Sequence, residues 1–178
     1  MSQIHILPFQ LCHQELLLEH FQRHWAESGA GGIHFMPFAP GDPTGPRGVS
    51  VDEAFSALDQ PGWQRWFCAH DVASGLIIGH VDLKSDSLNT GLHRCELGIG
   101  IESAYRKNGL GRRLMTEAMG FVRESNTIDW IDLRVFANNL PARSLYQSLG
   151  FVEIGTITDR FRIDSQRIDD VMMTFQVP

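Results

Sequence analysis

Apolar positions recur most regularly between Leu110 and Val122. Leu110, Leu114, Met115, Ala118, Phe121 and Val122 fall at i, i+4, i+5, i+8, i+11 and i+12, one face of a helix with the 3.6-residue period. Just before it, Cys95, Leu97, Ile99 and Ile101 alternate with Arg94, Glu96, Gly98 and Gly100, the two-residue period of a strand. Two glycines inside a strand indicate a bulge, or close approach by another backbone or a ligand. Arg106-Lys-Asn-Gly109-Leu-Gly111 lies between strand and helix, so a strand feeds an Arg-x-x-Gly-x-Gly turn that opens the helix.

The same reading extends along the chain. Gln3 to Leu7 is a short strand ended by Pro8, and Leu17, Phe21 and Trp25 at i, i+4 and i+8 predict a first helix over 11–25, with Leu11 and Leu18 beside the stripe. His20 and His24 lie one turn apart on it, as zinc ligands do. No glutamate follows the first and no third ligand is evident, so they read as a solvated helix face. From Ser28 to Gly48 the chain is rich in Gly and Pro, including Pro40, Gly41, Pro43 and Pro46, yet His34 to Phe38 is too apolar for a free linker; such a loop is usually functional or mobile. Ser50-Val-Asp-Glu53 is a capping box opening a short helix with Ala54, Phe55 and Leu58 inward. Gln64–Ala69 and Leu76–Leu83 are strands joined by a hairpin loop at 71–75. Ile131, Leu133 and Val135 alternate with Asp132, Arg134 and Phe136 in a further strand. Asn139 is an N-cap with Pro141 in the first turn, and Ala142, Leu145, Tyr146 and Leu149 give that helix its inner face before Gly150 closes it. A hairpin of 151–163 and 168–177 ends the chain. The order is β-α-α-β-β-β-α-β-α-β-β, with no repeat or internal boundary, so residues 1–178 are expected to form a single domain.

Composition narrows the classes. A hydrophobic content of 43% with 20% charged residues describes an ordinary globular chain. The net charge of −6 argues against a nucleic-acid surface and suits a cationic substrate. Cys12, Cys68 and Cys95 are odd in number and widely spaced, which fits a reducing compartment. No leader-like stretch or 18-residue apolar run occurs, so a cytoplasmic location without membrane attachment is expected.

The Gly-rich turn carries the chemistry. Amides at a helix N-terminus lack intrahelical partners and the helix dipole favours negative charge there, so phosphate or pyrophosphate is the expected ligand, with Arg106, Lys107, Arg112 and Arg113 adding positive charge. The turn is neither a P-loop nor a complete G-x-G-x-x-G fingerprint. Arg106, Gly109 and Gly111 instead match the [QR]-x-x-G-x-[GA] turn of the GNAT N-acetyltransferases, which the chain resembles. Asn139-Leu-Pro-Ala142-Arg-Ser-Leu-Tyr146-Gln-Ser-Leu-Gly150-Phe151 resembles that family's N-x-x-A-x-x-[LV]-Y-x-x-x-G-F segment, at the family's spacing. The resemblance runs from about Leu76 to Phe175.

It implies an α/β fold: a mixed, mostly antiparallel seven-stranded sheet flanked by about four helices and splayed between its fourth and fifth strands, with acetyl-CoA in the gap. It also implies an enzyme that moves an acetyl group to a primary amine, such as an amino acid or polyamine, by direct attack in a ternary complex. Under this resemblance Ile99, Gly100 and Ile101 bind the pantetheine arm and carbonyl. Arg106, Lys107, Asn108, Gly109, Leu110, Gly111 and Arg112 hold the pyrophosphate, while Asn139, Ala142, Arg143 and Tyr146 complete the cofactor site. Tyr146 is where the family often keeps its general acid; the other reading is a core aromatic. Glu96 points away from Leu97 and is either the general base or a structural carboxylate, with His80 and Asp82 as alternative bases. Phe35 and Phe38 are apolar anchors of a lid over the acceptor, and Glu53 is a carboxylate for a cationic amine unless the capping box explains it.

The ending Gly150-Phe-Val-Glu-Ile-Gly155, Arg162, Asp169 and Met173 resembles amino-acid, polyamine and ribosomal-protein N-terminal acetyltransferases. Asp164-Ser165-Gln166 replaces their usual Asn-Gly turn, so specificity does not carry over. A protein N-terminal acetyltransferase and a non-catalytic CoA-binding module remain the alternatives. Exposed strand edges in such folds often pair into homodimers.

Overall fold

A computed structural model describes residues 3–38, 42, 45 and 48–178. Seven strands, β1 (Ile4–Pro8), β2 (Gln64–Asp71), β3 (Leu76–Ser85), β4 (Arg94–Ile101), β5 (Trp130–Phe136), β6 (Val152–Ile163) and β7 (Gln166–Gln176), form one sheet in the order β1-β2-β3-β4-β5-β7-β6. Every neighbouring pair is antiparallel except β4–β5. A parallel pair needs a crossover, and α3 (Leu110–Ser125) supplies it. The other helices are α1 (Gln14–Ala26), α2 (Val51–Phe55) and α4 (Leu140–Ser148). The splayed seven-stranded sheet and the element order expected from sequence are both found.

The strand alternation sorts the sheet into two faces. Cys95 and Leu97 of β4, with Ile131, Leu133 and Val135 of β5, bury against Leu110, Leu114, Met115, Ala118 and Val122 of α3. On the other face Leu17 and Phe21 of α1 and Ala54 of α2 bury against Cys68 and Ile77. A bulge in β3 sets which side chains point where. Ala69 pairs with Gly79 and His70 with Ile77, leaving Ile78 unopposed. Ile78 joins the α3 side, and after the extra residue His80 and Asp82 face α1.

The parallel pairing is short. Arg94 to Leu97 pair with Trp130 to Leu133, after which β4 keeps only β3 as neighbour and β5 only β7. Gly98 to Ile101 therefore present a strand edge to an open fork. Arg94 pins its closed end: Nε and Nη2 donate to the Asp132 carboxylate at 2.8 and 2.6 Å, and the Thr174 hydroxyl donates to the same group at 2.7 Å. Although burial opposes it, these bonds hold the Asp132 carboxyl below its ordinary range.

Several local expectations change. A 3₁₀ turn at Leu11–His13 precedes α1, and Leu11 and Leu18 are exposed. The buried face of α1 is Leu17, His20, Phe21 and His24, so the two histidines are interior groups and not a solvated face. In α2 only Ala54 is buried; Phe55 lies exposed beside Phe9. Of the Gly/Pro-rich stretch, positions 39–41, 43–44 and 46–47, including Pro40, Gly41, Pro43 and Pro46, lie outside the described residues.

The terminal hairpin turns on two residues between the paired Ile163 and Gln166, with Asp164 at φ 48° and Ser165 at φ 65°. Both central residues are left-handed, as a type I′ turn requires, although neither is glycine. Ser165→Gly is expected to stabilise the protein by about 0.5 kcal/mol, the relief of left-handed strain less the added chain entropy of glycine. Urea unfolding measures this, and a lower midpoint would show that the serine side chain outweighs the strain.

Candidate active site

The Gly-rich turn is built from both sides. Glu27, at the end of α1, accepts from the Ser103 amide at 2.8 Å, from its hydroxyl at 2.7 Å and from Arg106 Nη2 at 3.1 Å, fixing the 3₁₀ turn Ser103–Tyr105 that leaves β4. Lys107 takes φ 63° and Gly109 φ 78°, and Gly109 is the N-cap of α3. No side chain caps the first-turn amides and no acid lies among them. Such uncapped amides under a helix dipole accept an anion. A cleft of about 480 Å³ opens beside them, lined by Gly109, Arg112, Arg113, Thr116, Glu117 and Ile6. Gly111 has a packing reason as well: a Cβ there would lie 3.0 Å from Leu145 and 3.4 Å from Ile101.

The arginines are less free than their charge suggests. Arg106 Nε donates to the Ile101 carbonyl at 2.7 Å, and its guanidinium lies 4.7 Å from the centre of the Phe35 ring. Arg106 thus locks the turn against β4, leaving Lys107 and Asn108 exposed on it. Arg112 donates to Ser148 Oγ at 2.6 Å and Arg113 to the Ile4 carbonyl at 2.8 Å. Across the fork, Asn139 Oδ1 caps α4 by accepting from the Ala142 amide at 3.4 Å, as its sequence position indicated. Arg143 is held by Glu153 at 2.7 Å and by the Ala137 carbonyl at 2.9 Å. Tyr146 is buried in the main core beside Phe151, and that burial pushes its phenol pKa up. It therefore keeps its proton at neutral pH.

The face of the sheet away from α3 holds the titratable groups. Glu96 lines a cleft of about 360 Å³ with Lys84, Arg94, Asp132, Arg134 and Met172, where β4 and β5 part. Asp82 lies against Gly98; a Cβ on that glycine would come within 2.5 Å of Asp82 Oδ1. Burial first, and then the Glu96 charge, raise the Asp82 pKa to about 7, with Lys84 opposing, although 22% of its side chain reaches solvent. Gly100 serves the same purpose at the neighbouring pair, since a Cβ would lie 2.5 Å from His80 Cε1 and 2.8 Å from His24 Nε2. The two strand glycines thus answer to close approach by side chains rather than to a bulge in β4.

Behind Asp82 runs a buried polar chain. His80 Nε2 is 3.9 Å from Asp82 Oδ1, His80 Nδ1 is 2.9 Å from His20 Nε2, and His20 Nδ1 is 2.8 Å from Glu102 Oε1. Arg23 Nε donates to the same Glu102 oxygen at 3.0 Å and Arg23 Nη2 to the Ile77 carbonyl at 2.8 Å. Burial lowers the pKa of His20 to about 4 and of His24 to about 3. His80 and Asp82 thus come together as the sequence placed them. His20, Arg23, His24, Glu27 and Glu102 were not expected. The signal was present in the spacing Leu17, His20, Phe21, His24 (i, i+3, i+4, i+7), which is an apolar stripe with histidines in it.

The loop after α1 covers this region. Ser28 Oγ accepts from the Phe35 and Met36 amides at 3.2 Å, and Phe35 stacks on His24 at 4.6 Å. His34 Nε2 lies 3.5 Å from Asp164 Oδ2 at the tip of the terminal hairpin. Phe38 packs edge-on against Trp25. Glu53 does not join the group: its amide bonds the Ser50 hydroxyl and its carboxylate accepts from Gln64 Nε2.

Among the described residues no cluster of three His, Cys, Asp or Glu side chains is arranged to hold a metal, and no helix is long and apolar enough to cross a membrane. The family model for the GNAT acetyltransferases matches residues 16–151. The L-amino acid N-acetyltransferase AaaT of Escherichia coli is 29% identical over 98 residues, which is 55% of this chain and 59% of that protein, so the match spans about three-fifths of its length. A GNAT acetyltransferase structure from Streptococcus pneumoniae superposes with a TM-score of 0.80 at 23% identity, covering 98% of this chain and 99% of that one. The structure of yncA from Salmonella typhimurium, solved with its cofactor acetyl-CoA, gives 0.77 at 17% identity over 99% and 95%. Acetyl-CoA is the cofactor of these enzymes, and the uncapped α3 amides, the left-handed Gly109 and the open β4 edge fit it. The family match over most of the chain, on a sheet forked at β4–β5, establishes that the chain belongs to the GNAT family of acetyltransferases.

Proposed function

We propose that the protein transfers an acetyl group from acetyl-CoA to the primary amine of a small molecule, an amino acid or polyamine being the favoured class. The observation that carries this reading is the fork itself: β4 has a phosphate-type turn at its end, carries Glu96 on its acceptor face, and sets Gly98 against Asp82 of the adjoining β3. Acetyl-CoA supplies the acyl group as a thioester. The α3 amides, Gly109, Lys107 and Arg112 hold its diphosphate, and the free edge Gly98–Ile101 orients the arm through backbone groups.

The residues around the fork then manage charge. A primary amine reaches the site mainly as an ammonium ion, which the Asp82–Glu96 pair attracts and deprotonates. An Asp82 pKa near 7 suits a base working at neutral pH. Tyr146, kept protonated by burial, is the acid for the leaving sulfur. Phe35, held between His24 and Arg106, and His34, against the hairpin tip, exclude water from the acceptor side. A net charge of −6, the carboxylate pair and an amino-acid acetyltransferase among the relatives support a small cationic acceptor. Three free cysteines, two of them buried, support a cytoplasmic setting.

Release of free CoA against a panel of amino acids, polyamines, aminoglycosides and N-terminal peptides tests the reading. Turnover confined to peptides would replace the small-molecule acceptor by a protein N-terminus, and no turnover with any amine would remove the transferase assignment.

For the cofactor, Gly111→Glu is expected to abolish acetyl-CoA binding in calorimetry while circular dichroism stays native, because the new carboxylate adds bulk and like charge in the first turn of α3. Unchanged affinity in the folded variant would place the cofactor elsewhere.

The base has a pH signature with a definite sign. Asp82 is protonated below about 7 and ionised above, so kcat/KM rises with pH through an inflection there. Glu96→Gln removes a neighbouring negative charge, which makes Asp82 easier to ionise and moves the inflection to lower pH; Asp82→Asn removes it. An inflection that stays in place in both variants excludes the pair as the base. Independently, Tyr146→Phe is expected to lower kcat by about 10²-fold with acetyl-CoA affinity kept, the low end for general acid catalysis; a fully active variant would leave Tyr146 as packing alone.

A further inference from the structure

Most of what surrounds His80 is apolar or un-ionised. Phe21 and Trp66 face its ring, and β2 adds Cys68, whose thiol burial pushes up to about 12. Two imidazoles and a carboxylate nevertheless run from that pocket to the end of β4. Buried polar groups are retained only with partners, and here each partner fixes the protonation of the next. Glu102 accepts from Arg23, so it is the anionic end, and His20 donates to it through Nδ1–H. His20 Nε2 is then a bare lone pair, and the 2.9 Å contact requires His80 to donate through Nδ1–H. His80 Nε2 is left as an acceptor pointing toward Asp82 Oδ1 at 3.9 Å. Asp82 becomes a donor to this nitrogen once it has taken a proton, and the acceptor ammonium supplies one.

We propose that His80, His20 and Glu102 form a relay that takes from Asp82 the proton it has received from the acceptor ammonium and stores it on Glu102 while the site is occupied, an inference that rests on the acetyl-transfer reading above. The ammonium N–H bond breaks as Asp82 gains a proton at Oδ1, and Asp82 gives that proton to His80 Nε2 as the 3.9 Å gap between them closes. His80 gives its Nδ1 proton to His20 Nε2, and His20 gives its Nδ1 proton to Glu102. Four bonds to hydrogen break and four form, Asp82 ends as it began, neither imidazole ends charged, and one proton has moved from the amine to Glu102. Once the products leave, the reverse shift returns the proton to Asp82 and the solvent of the cleft, restoring both tautomers.

The surrounding charges suit this use. Arg23 and Glu27 on α1, Arg106 on the turn, His24 beside His20, and Asp82, Lys84 and Glu96 on β3 and β4 face the chain. Burial raises the Glu102 carboxyl toward accepting a proton, while Arg23 returns it to the anion. Burial keeps both imidazoles neutral, so they pass protons without trapping them. His20 and Glu102 touch no reacting atom; they are positioning residues acting through His80.

Glu102→Gln keeps an oxygen for His20 Nδ1–H and removes the proton store. Its single-turnover acetyl-transfer rate is expected to fall on the order of tenfold, less than the loss of a base itself, with acetyl-CoA affinity unchanged. In the unaltered enzyme the rate should vary along a curve with the deuterium fraction of the solvent, because several protons move together; in Glu102→Gln the dependence becomes linear. An equal rate, or a curvature kept in the variant, overturns the relay. Nitrogen NMR of the unaltered protein at mildly alkaline pH gives a second decision: both His20 and His80 should be neutral and protonated on Nδ1, and an Nε2–H tautomer in either overturns the relay whatever the turnover. Absence of turnover with every amine in the panel overturns the acetyl-transfer reading and the relay with it, a result distinct from an active enzyme indifferent to Glu102→Gln.

Discussion

Four residue pairs, Arg94–Trp130 to Leu97–Leu133, hold the two halves of the sheet together. The open end of β4 depends on their number. More pairing would close the fork and satisfy the β4 edge from within; less would separate the halves and leave Leu97 and Leu133 without their shared core. The buried face of the pairing is apolar, under α3, and its other face carries Arg94, Asp132 and Thr174 in a charge-assisted network. Pairing ends one row past that network, at Leu97–Leu133. Beyond it β4 turns to Gly98 and Gly100, whose missing side chains make room for Asp82, His80 and His24. The same strand thus changes from an interior member of the sheet to an open edge within one residue.

Glycine on β4 has a price in the interior, which the helices settle by burying charge-capable groups at low polarity. His20, His24 and His80 are packed among Phe21, Trp66 and Phe35, and each is neutral because the ion would lose its hydration there. Asp82 responds in the opposite direction for the same reason. One environment therefore makes acids weaker and bases weaker together, which brings their proton affinities closer and lets protons move between them at small energy differences.

Local periodicity made much of this legible. The alternation at 95–101 and the stripe at 110–122 fix β4 and α3, and the Asn139 and Gly150 signals fix the ends of α4, because these elements bury one face against one partner. The Gly-rich turn was legible as the uncapped start of α3 since glycine and helix geometry act over a few residues. Contacts made across the sheet were not. His20 meets Glu102 across 82 positions of chain, and nothing in either neighbourhood encodes the other. Polar residues on an apolar stripe read as an interruption until the partner that satisfies them is known. Phe55 failed for a related reason: a five-residue helix covers too little sheet to bury more than one side chain, and Ala54 takes that place.

Arg106 joins regions that the chain keeps apart. Its guanidinium holds the Ile101 carbonyl at the end of β4, Glu27 at the end of α1, and the face of the Phe35 ring, which stacks on His24. An acceptor that shifts Phe35 changes what Arg106 rests on, and a ligand that steadies the turn steadies Phe35 in return. Under the proposed reading, acetyl-CoA and the amine would share a coupling free energy through these contacts, and reciprocity would make the factor by which each alters the other's affinity the same in both directions. A link between the turn and the loop after α1 is in this way built into a single side chain.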